Sequence, residues 1–105
     1  MTPQARATLN RYLAAFARVG STPPRVTSTD RTRSQQEDLI RQGRGVPNSL
    51  HLVGRAADIV PAAQWGGRVS IERLANHAAA WMRVKAIPHG KTGQKPDHVH
   101  IEFPA

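Results

Sequence analysis

The chain has 105 residues, no cysteine, and 15 lysines and arginines against 7 acidic residues, for a formal charge of +8 with histidine neutral. That length holds one small domain with a modest core and leaves no room for two. The absence of cysteine excludes a disulfide framework and a thiolate metal site. The charge concerns partners and solubility, not fold. Nucleic acid or an anionic bacterial wall would both answer it. The arginines are spread along the chain with no dense basic tail, and aromatics are only 5%, so we read a diffuse basic surface and expect no nucleic acid partner.

In chain order, Thr2-Pro3 reads as an N-cap with proline at the first helical position. Leu9, Tyr12, Leu13, Phe16 and Val19 recur at helical spacing, and Gly20 is a natural stop. Arg25 to Thr29 is a short β-prone run after Pro23-Pro24. Ser34-Gln35-Gln36-Glu37 is a capping box that opens a second short helix, ended near Gly43. Arg55 to Val60 reads as a buried strand. Pro61 to Gly67 is a turn-rich connection whose Trp65 covers the core or lines a cleft, and we favour the core. Ser70 caps a third helix with the apolar stripe Ile71, Leu74, Ala75, Ala78 and Met82, which leaves His77 on the solvated side. Arg83 to Ile87 reads as a strand, and Pro88 to Gly93 as a loop. Gly90-Lys91-Thr92 resembles the end of a phosphate-binding loop, but position 85 is lysine and Gly93 and Pro96 argue against the helix that motif needs. His89 in this loop lies close in sequence to the site and could contact substrate or metal, but we favour a loop histidine without such a role.

Two stretches carry chemistry. Ser49 to Asp58 sets His51 and Asp58 seven positions apart, with Gly54 between them and the small Ala56 and Ala57 beside Asp58. A glycine there lets the backbone turn sharply or approach an ion closely. Asp97 to Phe103 holds His98 and His100, which share a face if the segment is a strand. Two histidines and one aspartate make three protein ligands with a fourth tetrahedral position open, the pattern of a catalytic zinc site. Asp97 and His98 are both candidates for moving the proton that hydrolysis needs. Strand alternation favours His98, whereas a bulge after Pro96 would re-aim Asp97. We lean to Asp97 as acceptor, with His98 orienting water or stabilising the oxyanion. Glu102, on the face of His98 and His100, ranks below Asp97.

The pattern Ser49-x-His51-x-x-Gly54-x-Ala56-x-Asp58 followed by His98-x-His100 resembles the M15 zinc peptidases, the D-Ala-D-Ala metallopeptidase group, over residues 25–103. The resemblance implies a single α+β domain spanning 1–105, with a small, mostly antiparallel sheet and about three helices. It implies one Zn²⁺ per chain on His51, Asp58 and His100, and hydrolysis of peptidoglycan peptides by a carboxypeptidase or endopeptidase. Asp97 matches the acid-x-x-His arrangement of one branch and His98 the His-x-His arrangement of another. Ser49 and Arg31 fall where substrate-binding residues are expected, Arg31 as a planar, always-charged fork for a substrate carboxylate. Thr29-Asp30 stands where a glycine–aromatic pair is common, so Arg33 is the alternative to Arg31. The competing reading is a zinc-stabilised binding module of the same fold that does not cut. We expect a monomer without membrane insertion. No signal peptide is visible after Met1, so we expect release or delivery to the wall by another protein, as for a phage lysis or virion enzyme, or equally a domain cut from a larger polypeptide.

Overall fold

The computed structural model describes residues 1–29, 40–43 and 54–104. Its elements are α1 (Pro3–Arg18), β1 (Arg25–Ser28), β2 (Ala56–Val60), a 3-10 turn (Ala63–Trp65), α2 (Ile71–Met82), β3 (Lys85–His89) and β4 (His98–Glu102). The four strands form one antiparallel sheet in the order β1-β2-β4-β3. With helices packed on it, this is an α+β domain, as expected. The second expected helix lies mostly outside the described residues, of which Ile40 and Arg41 are helical.

Both helix starts follow local chemistry. Thr2 caps α1 by accepting the Ala5 amide at 3.2 Å, with Pro3 in the first turn. Ser70 does the same for α2 through the Arg73 amide at 3.1 Å. Each cap satisfies an amide that has no partner within its helix, worth about 1 kcal/mol. Leu9 and Tyr12 of α1 and Leu74, Ala75, Ala78 and Met82 of α2 are buried against Ala57, Ile59, Val99, Ile101 and Phe103. Val19, which continues the apolar periodicity of α1, is 79% exposed. The helix ends at Arg18 and Val19 is its C-cap, so the last residue of the stripe swings off the face that packs.

One expectation for the second half is corrected. The strand after α2 does not start at Arg83 or stop at Ile87. Arg83 is the left-handed cap of α2, with φ of 56°, and the strand runs on through Pro88 and His89. Proline has no amide to donate to a ladder and is tolerated at a sheet edge. β3 is that edge. His77 is exposed, as expected, and from that position it also meets α1. Its Nδ1 lies 2.8 Å from the Tyr12 hydroxyl, and its ring contacts those of Tyr12 and Phe16.

No helix among the described residues is long and apolar enough to cross a membrane.

Candidate metal and catalytic site

Strand pairing assembles the site. Asp58 in β2 is the cross-strand partner of His100 in β4, and His98 is the partner of His89 in β3. Alternation then sorts β4 into two faces. Val99 and Ile101 are fully buried towards the helices, while His98, His100 and Glu102 lie on the other face with Asp58, His89 and Lys85. β2 turns towards its partner through Gly54, whose φ of 71° suits glycine. A Cβ there would stand 3.2 Å from Met1 Cα, so the chain's start also crowds the position. Ala56 and Ala57 are fully buried on either side of the β2 backbone.

Asp58 is the buried carboxylate of the described residues, 4% exposed. A buried charge is costly unless paired, and histidines surround this one. His100 Nδ1 lies 3.1 Å from Asp58 Oδ1, and His98 Nε2 lies 3.9 Å from Oδ2. The far nitrogen of His100 faces Glu102 Oε1 at 3.4 Å. His98 uses its Nδ1 on Asp97 Oδ1 at 2.7 Å. The β3–β4 register runs unbroken from Lys85 opposite Glu102 to His89 opposite His98. No bulge re-aims Asp97, and its carboxylate reaches the cluster through the His98 ring.

His89 is the member that sequence reasoning placed in a loop. Its ring centroid stands 5.4 Å from that of His98 and 6.2 Å from that of His100. Burial, then repulsion from His98 and His100, holds its imidazole below the ordinary value, against the opposing pull of Asp58 and Asp97. The Asp97 amide donates to the His89 carbonyl at 2.9 Å. At Gly90 the returning chain passes so close that a Cβ would lie 2.7 Å from the Lys95 carbonyl oxygen. The turn that carries Asp97 is therefore clamped onto the end of β3. The sequence signal for His89 was its place one residue before this glycine, legible only once Pro88 is admitted to an edge strand.

The donor chemistry fits zinc: one buried carboxylate and imidazoles, all of the types that ligate it. Tetrahedral bonds of about 2.0–2.1 Å set neighbouring donors about 3.3 Å apart, close to the 3.1 Å between Asp58 Oδ1 and His100 Nδ1. Among the described residues no group of three or more His, Asp or Glu side chains stands ready to hold an ion. His51, the third implied ligand, lies outside the described residues, as do Ser49, Arg31 and Arg33.

Comparison with family models, curated proteins and solved structures returns no match to this chain. The functional reading therefore stands on the residues and their geometry.

Proposed function

We propose that the chain is a zinc-dependent peptidase acting on short peptides of peptidoglycan. The observation that carries this reading is the buried Asp58–His100 pair with the Asp97–His98 pair beside it on one sheet face. Asp58 and His100 would hold the ion together with His51. Zinc there would polarise the scissile carbonyl and acidify water to a pKa of about 7.

The chain's own residues supply the rest. Glu102 Oε1 stands 3.4 Å from the outer nitrogen of His100, where it would steady the ring and leave the other nitrogen for the metal. Asp97 and His98 act as a coupled pair that takes one proton from the attacking water and returns it to the leaving amine. Asp97 Oδ1 accepts from His98 Nδ1 and stabilises the ring when it is charged, while its carboxylate, 57% exposed, stays open to the substrate side. Arg31 would bind a substrate carboxylate bidentately and place the scissile bond.

The test is digestion of purified peptidoglycan by the whole chain, with products identified by mass spectrometry, with and without a chelator. Peptide-bond cleavage that stops on chelation and returns with zinc supports the reading. Zinc binding with no cleavage products would leave a binding module instead.

A further inference from the structure

The described residues hold a concave feature on the other side of the sheet from Asp58 and His100. Where the end of α1, the 3-10 turn and α2 meet, an open groove of about 440 Å³ is lined by Phe16, Gln64, Trp65, Arg68, Arg73 and His77, among others. This volume falls within the range of about 300–1,000 Å³ of small-molecule sites. Four of the chain's five Phe, Tyr and Trp residues gather along this side. Trp65 stacks on Phe16 with centroids 5.6 Å apart and planes 28° apart. The Tyr12–His77 pair continues the row to Trp81, which is 45% exposed.

The Trp65 indole is held in place. Its Nε1 donates to the Thr22 carbonyl at 3.1 Å, so the ring presents a fixed flat face beside Phe16. Around this platform the polar lining is Ser21, Gln64, Arg68, Arg73 and His77, in which the two guanidinium groups make donors predominate. Arg68 and Arg73 contribute guanidinium groups and Gln64 an amide, and among the described residues no acidic side chain lines the groove. A ligand that fits has an apolar ring face and outward carbonyl or carboxylate oxygens. Successive bases of a nucleic acid strand need a track of stacking platforms along a basic channel. Here one stacked pair serves a single short segment, and the next exposed ring, Trp81, lies beyond the His77–Tyr12 pair.

We propose that this groove is a second binding site, one that takes the N-acetylated glycan of the wall. The sugar ring faces lie on Trp65 and Phe16, and the acetamido and lactyl oxygens accept from Arg68, Arg73 and Gln64. The identity of the glycan rests on the peptidoglycan reading. The site itself rests on the groove. Holding the polymer at one face while cutting its peptides at the other raises the effective concentration of scissile bonds.

The probe is glycan strands freed of their stem peptides, titrated into the whole chain by calorimetry. Such strands hold no peptide bond to cut, so this measurement stands even if the peptidase reading fails. The glycan should bind, and Trp65→Ala should weaken it roughly tenfold or more. Trp65 also packs on the core, so the Arg68→Gln/Arg73→Gln double variant is the cleaner arm. Both arginines are exposed, and this variant should weaken glycan binding while cleavage of a soluble stem peptide is unchanged. Absent glycan binding, or binding indifferent to the double variant, overturns the proposal. A single-stranded oligonucleotide that binds this groove where the glycan does not would also overturn it, and would reassign the site.

Discussion

Alternate residues of β4 meet different surroundings. On one face Val99, Ile101 and the following Phe103 are at most 2% exposed and pack under the two helices. On the other, His98, His100 and Glu102 are half-buried, and each histidine lies within 4 Å of a carboxylate oxygen. The first face is held by area removed from water, about 25 cal/mol per Å², which does not depend on direction. The second is held by pairs of polar groups whose worth depends on distance and angle. One five-residue strand therefore anchors the fold with one set of side chains and leaves the other set free to carry chemistry.

The two faces should separate under mutation. On the polar face, Asp97→Asn keeps the shape of the side chain and removes the proton acceptor. Turnover on a defined stem peptide should fall by about 10²–10⁴, while bound zinc and thermal stability stay the same. If Asp97 and His98 act together as proposed, the Asp97→Asn/His98→Ala double variant should be no slower than the slower single one. Additive losses in kcat would show two independent groups.

On the apolar face, Ile101→Ala should cost about 2–5 kcal/mol of folding stability, measured by urea titration. Activity per folded molecule should be retained, since the Ile101 side chain is on the face away from the site. A fall in kcat without a loss of stability would break the division between the faces.

Metal retention lies between these in its effect. His51→Ala, Asp58→Ala and His100→Ala should each release zinc on dialysis, read by elemental analysis, because three protein ligands leave little redundancy. Full zinc after His100→Ala would remove that residue from the ligand set.

The smallest effect belongs to the helix side. Burial pushes the Tyr12 phenol up, so the folded state favours the protonated form more than the unfolded chain does. That stability is fully present below the unfolded value of about 10 and is lost as pH rises above it. Tyr12→Phe should cost about 1 kcal/mol at neutral pH through the lost contact with His77. It should also flatten the alkaline fall in thermal stability. An unchanged alkaline limb in this variant would mean that another group titrates there.

Much of the molecule was legible because its signals are local. Thr2 and Ser70 cap their helices through their own side chains. The stripe of α2 buries Leu74, Ala75, Ala78 and Met82 as its period requires. The alternation of β4 follows from the two-residue period of a strand, so His98 and His100 share a face in any fold that makes 98–102 a strand. Where the reading failed at Pro88 and His89, the deciding partner lay on another strand, β4.

The sequence by itself determined α1 and α2, the buried strand around Asp58, the alternating strand at the C-terminus and the kinds of donor on offer, because each depends on residues a few positions apart. Only the tertiary structure decided that β3 is an edge strand able to admit Pro88, which sets His89 opposite His98. It also decided that Asp58 would meet His100 across 42 residues and Tyr12 would meet His77 across 65. Such pairings are set by strand order and helix docking. These minimise exposed apolar area over the whole chain at once, a quantity that no short window of sequence contains.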